Sequence, residues 1–475
     1  MSSRRAVLYL LLGAAAELAA AADFRSFLDA LPRGEIVSAI PTLSDPTQTY
    51  DLYLPTTLAR GRRPPLLLLF DPRSRGRLAA ELFQPAAEEL GWILVSSNNT
   101  MSDGPGEPNA RALNATIPDV LQRLPVDKKR IYAGGFSGGG VLAWTVGLKG
   151  RFLAGVISIG GRPAPEHAAL VPSFALFAAA GLRDFNYQPT RELDAIAARA
   201  HVPHRLEFYP GPHAWCPPET ARRALLWLET LAMRDGSAPR DPDRIARTLT
   251  EELATAEALA SAGDELAAGR RFQEVAEAFH GLAERLDVSR AEVRAREILA
   301  APAAKDALKE EKAAEKYESQ ALRRVDEAMA IARGELAPPA ARLRQTAGLE
   351  LAKRRSAEDS EMGRAAQRHL EAIATHLGFY LTRELFARGD YARARPALAV
   401  ATEARPADPY LHYNLACAQA RSGNEEGALE SLSSALDLGL PQPLQMESDQ
   451  DLASLRELPR FRALIERARG SSAGS

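Results

Sequence analysis

The stretch Arg130-Ile131-Tyr132-Ala133-Gly134-Gly135-Phe136-Ser137-Gly138-Gly139-Gly140 decides the reading of this 475-residue chain. An apolar, strand-like run breaks into glycines around one serine and resumes as Val141-Leu142-Ala143-Trp144, which suits a helix. A strand-to-helix turn of this kind forces the serine into strained backbone geometry. The residues two before and two after it, Gly135 and Gly139, must therefore be small. The pentapeptide reads G-x-S-x-G in its expected setting, so Ser137 is the candidate nucleophile. A merely structural glycine turn is the competing reading. A phosphate cradle is disfavoured because no Gly-Lys-Ser/Thr follows.

A serine hydroxyl is a weak nucleophile until an imidazole takes its proton, and that imidazole must be held in one tautomer by a carboxylate. In this setting the order is Ser, then Asp or Glu, then His. Downstream, Phe174-Ala175-Leu176-Phe177-Ala178-Ala179 reads as a buried strand. It runs into Gly181-Leu182-Arg183-Asp184, which puts Asp184 at a strand's carboxyl end, where ligand crevices form. A helix over about residues 190–200 follows. The strand Arg205-Leu206-Glu207-Phe208-Tyr209 then stops at Pro210-Gly211-Pro212 and delivers His213. His201 and His204 precede that strand, which puts them at its wrong end, and His167 precedes the acid, which breaks the order. Glu166 and Asp194 are rivals to Asp184.

These residues together resemble an α/β-hydrolase of the bacterial esterase and dienelactone-hydrolase-like type, over roughly residues 50–233. The resemblance rests on Leu66-Leu67-Leu68-Leu69-Phe70-Asp71-Pro72, the turn at Ser137, Gly181-Leu182-Arg183-Asp184-Phe185-Asn186-Tyr187, and Gly211-Pro212-His213-Ala214-Trp215. Two departures stand out. Pro212 stands where many relatives have a second glycine, and Asp71-Pro72-Arg73-Ser74 stands where lipases of the fold often carry His-Gly-Gly. The resemblance implies a Ser137, Asp184, His213 triad. It also implies an oxyanion hole using the N–H of Gly138 and one N–H from the loop after the Leu66–Phe70 strand. Pro72 has no N–H, so Arg73 or a neighbour is the expected second donor.

Further strands are expected at Gly91-Trp92-Ile93-Leu94-Val95-Ser96 and Ala154-Gly155-Val156-Ile157-Ser158-Ile159. Helical stretches between them argue for a mostly parallel sheet covered on both faces. The loop over residues 97–106 follows a strand end. It either walls the substrate pocket, with Asn98, Asn99 and Trp215 as candidate substrate contacts, or is a long solvated turn. No lid of lipase size is visible, which favours short or soluble acyl groups.

At the N-terminus, Met1-Ser2-Ser3-Arg4-Arg5, an apolar run over residues 6–16 and Ala20-Ala21-Ala22 match a secretory signal cleaved after Ala22. An extracytoplasmic, periplasmic or secreted mature chain is expected, and no later stretch is apolar enough to span a membrane. A net charge of −2 gives no reason to expect nucleic acid or an anionic membrane as partner. Two cysteines, Cys216 and Cys417, have no pairing pattern. No metal spacing and no dinucleotide fingerprint occur, so no metal and no cofactor are expected. Asn98 and Asn114 lie in Asn-x-Thr sequons.

Strand signals stop before Arg234-Asp235-Gly236-Ser237-Ala238-Pro239, which places a boundary near residue 236. The expected organisation is a signal peptide over 1–22, the α/β-hydrolase domain over 23–236, a helical region over 237–375 and repeats over 376–467. The charged run over 305–324 reads as a solvated helix or helical hairpin. Shifting the chain by 34 residues aligns Leu381 with Leu415, Gly389 with Gly423, Ala394 with Ala428, Leu398 with Leu432, and Ala401 with Ala435. This is the tetratricopeptide period, and the segment resembles such repeats. Arrays of that family hold peptide segments or partner proteins, so a protein partner is implied here.

The fold class expected is thus α/β, an α/β-hydrolase domain followed by an all-α tetratricopeptide-like domain. The function expected is that of a secreted serine hydrolase acting on a small-molecule or oligomeric ester. Two alternatives stay open: a serine peptidase of prolyl-oligopeptidase type, and an inactive hydrolase-fold scaffold that binds partners through its repeats.

Overall fold

A computed structural model describes residues 27–102, 106–167, 169–334 and 338–472. The expected signal segment over 1–22 lies outside these residues. The chain divides into two compact units: 1–182 with 189–305, and 183–188 with 306–475.

The first unit is built on an eight-stranded sheet: β1 (Ile36–Pro41), β2 (Thr49–Tyr53), β3 (Leu66–Phe70), β4 (Ile93–Ser97), β5 (Ile131–Phe136), β6 (Gly155–Ile159), β7 (Ala175–Gly181) and β8 (His204–Tyr209). The spatial order is β1-β2-β4-β3-β5-β6-β7-β8. Pairings from β4 through β8 are parallel and the two at the β1 edge are antiparallel. Strands buried on both faces read as unbroken apolar runs, and β3, Leu-Leu-Leu-Leu-Phe, is the plainest case.

Alternate residues of β3 serve opposite cores. Leu67 and Leu69 join Trp92, Tyr132 and Phe177 on one face, covered by helices α1 (Gly76–Leu90) and α5 (Pro218–Asp235). Leu66, Leu68 and Phe70 join Val95, Val156 and Leu176 on the other, covered by α2 (Gly106–Arg123), α3 (Gly138–Gly150) and α4 (Tyr187–Arg199).

Strands β1 and β2 were not expected from the sequence. β1 is half exposed and interrupted by a register shift between Val37 and Ile40, so it lacks an alternating signature. A bulged edge of this kind is also one that resists pairing with another chain.

The core on the α1 and α5 side does not end at residue 236. It continues through Ile245, Leu249, Phe272, Val275 and Phe279 of α6 (Pro242–Ser261) and α7 (Glu265–Phe279), and through Val288 and Ile298 of α8 (Arg285–Ala300). Buried charge joins the same elements. Arg205 of β8 makes a two-pronged contact with Glu252 of α6 at 3.0 and 3.2 Å, and Arg271 of α7 reaches Glu252 at 3.4 Å. By contacts, residues 237–305 therefore group with the sheet.

The second unit is helical. α9 (Pro302–Gly334) carries most of the charged run on its exposed side, with Glu318 buried, and buries Tyr317, Ala321, Val325, Ala328 and Ala332 at spacings of three and four. α10 (Ala340–Ala347), α11 (Leu349–Arg355), α12 (Glu361–Thr375) and α13 (Thr382–Ala387) follow, then α14 (Tyr391–Ala404), α15 (Pro409–Arg421), α16 (Glu425–Asp437) and α17 (Pro459–Ser472).

The residues aligned by the 34-residue shift occupy matching environments. Ala394, Leu398 and Ala401 of α14 are fully buried, as are Ala428, Leu432 and Ala435 of α16. Gly389 and Gly423 both turn with positive φ, at 70° and 76°, where a side chain would be strained. Among the described residues, no helix is long and apolar enough to cross a membrane.

His369 of α12 is buried, with its Nδ1 2.9 Å from the Tyr317 hydroxyl. Burial pushes its pKa from 6.5 down to about 4, opposed by the Ala347 backbone and aided by the Arg324 charge. Between those pH values the unfolded chain holds the extra proton. The stability contributed by neutral His369 is therefore complete above pH 6.5 and is lost as pH falls towards 4. His369→Gln is expected to remove up to about 3 kcal/mol of that pH dependence. Chemical denaturation of the full chain between pH 7 and 4 measures it, and an unchanged slope in the variant would assign the effect to other groups.

Candidate active site

Ser137 caps α3 with φ 52° and ψ −120°, a conformation that a non-glycine residue holds only when its surroundings impose it. The surroundings are explicit. A Cβ on Gly135 would lie 2.2 Å from the Gly139 carbonyl, and one on Gly139 would lie 1.9 Å from the Phe70 carbonyl oxygen. The Ser137 N–H donates to the Ile159 oxygen at 2.8 Å. These close approaches lock the turn between β5 and α3 against β3 and leave the serine side chain at the carboxyl edge of the sheet.

His213 meets it there, with Nε2 2.9 Å from Ser137 Oγ. The loop that carries His213 is anchored beyond that contact. The Tyr209 hydroxyl donates to the Ala214 oxygen at 2.6 Å, and Gly181 admits the backbone of Gly211 and Pro212, whose oxygens would lie 2.4 and 2.5 Å from any Cβ there. The Phe136 ring lies 4.6 Å from the imidazole, centroid to centroid. A serine at hydrogen-bond distance from an imidazole, at the end of a strained turn and the start of a helix, is a constellation for nucleophilic catalysis. The α3 N-terminus beside it, beginning at Gly138, favours developing negative charge.

Asp184 is fully buried, its Oδ1 accepting the Asn186 N–H at 2.7 Å and its backbone oxygen the Tyr187 N–H at 2.9 Å. It belongs to the helical unit. Its neighbour Phe185 packs with Val325, Ala328 and Ile373, and the Arg368 guanidinium sits 4.0 Å above the Tyr187 ring. The rival acid Asp194 is paired with His204 at 3.2 Å, a contact that raises the imidazole's pKa and lowers the carboxyl's. Glu166 is exposed, in a short 3-10 turn.

Other candidates are engaged elsewhere. The Arg73 N–H, expected to face an oxyanion, donates instead to Asp71 Oδ1 at 2.8 Å. Asn98 Nδ2 donates to Asp51 at 2.8 Å, and Asn99 Oδ1 accepts the Thr49 N–H at 2.7 Å. Both side chains thus tie the loop after β4 to β2. Trp215 donates its indole N–H to Asp71 Oδ2 at 2.8 Å. Cys216 and Cys417 are buried free thiols.

Ser102, in the loop over residues 97–106, was not singled out by the sequence. It lies against the elbow, so that a Cβ on Gly138 would fall 2.0 Å from Ser102 Cβ. No local motif marks it, because only the fold of the loop after β4 brings it there.

No protein-family model and no curated protein matches the sequence. Solved structures align over part of it. The fluorophosphonate-binding serine hydrolase F of Staphylococcus aureus is 18% identical, aligned over 42% of this chain and 99% of its own, with a TM-score of 0.34. An S-formylglutathione hydrolase of the same organism is 19% identical over 42% of this chain and 98% of its own, with a TM-score of 0.34. A hyperthermophilic esterase of Pyrobaculum calidifontis is 15% identical over 42% of this chain and 87% of its own, also at 0.34.

Proposed function

We propose that the chain is a serine hydrolase of carboxylic esters that works through an acyl-enzyme on Ser137. The observation carrying this reading is the 2.9 Å approach of His213 Nε2 to Ser137 Oγ at a tightly packed turn that holds the serine at φ 52°.

On this reading His213 removes the hydroxyl proton as Ser137 Oγ attacks the ester carbonyl. The Gly138 N–H at the start of α3 stabilises the oxyanion. His213 then returns the proton to the leaving alcohol, and a water activated by the same imidazole releases the acid. The order along the chain assigns the orienting role to Asp184. The basic, apolar and small-residue segments of the first 22 residues support export before the enzyme acts, with Asp23 as the N-terminal residue of the exported chain. The equal burial of residues 34 apart supports reading α14 to α16 as tetratricopeptide-like.

The experiment is fluorophosphonate labelling of the full chain, with a p-nitrophenyl ester series from acetate to octanoate. Labelling and turnover that favours short acyl chains are expected. A folded chain that neither labels nor turns over any ester in the series would sink the reading.

A further inference from the structure

Asp71 ends the Leu-Leu-Leu-Leu-Phe strand and is fully buried, yet it plays no part in the mechanism above. A buried carboxylate is costly unless its lone pairs are met, and here they are met from two directions. Oδ1 accepts the backbone N–H of Arg73 at 2.8 Å and of Arg75 at 3.2 Å, and Arg75 Nε at 3.1 Å. Oδ2 accepts Arg75 Nη2 at 3.0 Å and the indole N–H of Trp215 at 2.8 Å. Burial works to raise this carboxyl's pKa, but the bonds from Arg75, Trp215 and the Arg73 backbone outweigh it and hold the group below the usual carboxylate range.

Trp215 stands two residues beyond His213. Its ring lies 5.7 Å from that of Phe136, which in turn lies 4.6 Å from the imidazole. The backbone of the same turn gathers a third loop: the Thr100 hydroxyl donates to the Asp71 oxygen at 3.2 Å, and the Ser102 N–H to the Pro72 oxygen at 2.9 Å. One carboxylate thus ties the loop after β3 to the loop carrying His213.

We propose that Asp71 is a positioning residue that holds His213 at Ser137 by anchoring Trp215. The assignment rests on the reading of His213 as the general base. Asp71 touches no reacting atom. Its effect is to keep the 210–215 loop in register with the strand that backs the serine, since a base displaced by about 1 Å loses as much as about 100-fold in rate.

The test uses the full chain with Trp215→Phe, Asp71→Asn and the double variant. It measures kcat and KM for a p-nitrophenyl ester, the rate of fluorophosphonate labelling and Tm. Trp215→Phe keeps an aromatic ring and the Arg75 pair while deleting the indole N–H together with part of the ring volume, so it remains informative if Asp71→Asn does not fold, with Tm reporting the lost packing. It is expected to lower kcat and the labelling rate together by about tenfold, with KM within about twofold. The double variant should be no slower than Asp71→Asn alone, because both remove one linkage. A purely structural bond would lower Tm and leave kcat per folded molecule untouched. A reactive wild type whose Trp215→Phe form matches it in kcat, or independent losses that multiply, would overturn the assignment. A wild type that does not react at all would remove the premise, and the assignment with it.

Discussion

Ser137→Ala is expected to lower kcat for a p-nitrophenyl ester by about 10⁴- to 10⁶-fold and to abolish fluorophosphonate labelling, with Tm unchanged or raised. On the acyl-enzyme reading the loss is large because the Ser137 hydroxyl carries the acyl group, whereas the remaining site can at most bind the ester and polarise its carbonyl. The side chain is small and the turn is held by Gly135 and Gly139, so the fold should survive; the positive φ strain stays, since alanine dislikes φ 52° as much as serine does. His213→Ala should cost a comparable amount, and both changes together little more than either, because the pair acts as a unit. Asp184→Asn should lower kcat by about 10⁴-fold, the size of effect that follows when the tautomer of a catalytic imidazole is no longer fixed. Steady-state kinetics on the four variants decides. A Ser137→Ala protein within tenfold of wild type would end the acyl-enzyme reading, and an active Asp184→Asn would move the orienting role to another carboxylate.

The largest expected effect on stability is at Glu229 of α5. Its buried carboxylate accepts the Trp92 indole N–H at 3.0 Å, pairs with Arg130 at the start of β5 and stands 3.8 Å from Arg244 of α6. Trp92 and Arg130, 137 and 99 residues before Glu229 in sequence, thus meet Arg244 on one side chain. Glu229→Ala leaves the Arg130 guanidinium buried without its counter-charge and the Trp92 N–H without its acceptor. Removing one partner of such a pair costs about 3–5 kcal/mol, most of it desolvation that is no longer offset. In thermal unfolding this corresponds to a fall of roughly 10 °C in Tm for the sheet-bearing unit. Replacing Glu229 and Arg130 together by leucine and methionine should recover much of the loss. A single variant within about 1 kcal/mol of wild type would show that water reaches the site.

The elbow could be read in the sequence because its constraints are local. Two glycines flank one serine within five residues, and the same five residues make the strained turn. His213 could be read because a β-strand, a Pro-Gly-Pro break and a histidine follow one another in the right order after Ser137. The order also singled out Asp184, but sequence could not say that Phe185 and Tyr187 beside it would pack among α9 and α12. Arg73 was the natural second donor by position along the chain. Its N–H turned out to face Asp71, a competition that depends on where one buried carboxylate points.

Sequence by itself determined the elements whose signal is a local pattern or a repeat: the all-apolar parallel strands, the turn at Ser137, the spacing of 34 and the charged helical run of α9. Tertiary structure alone decided what those elements face. An alanine- and leucine-rich helix announces that it will bury one side but not against what, which is why α6 to α8 read as a separate helical region and yet share a core with the sheet. The same holds for Asp71 and Trp215. They are 144 residues apart, and the bond between them exists only because the loops after β3 and β8 end on the same edge of one twisted sheet.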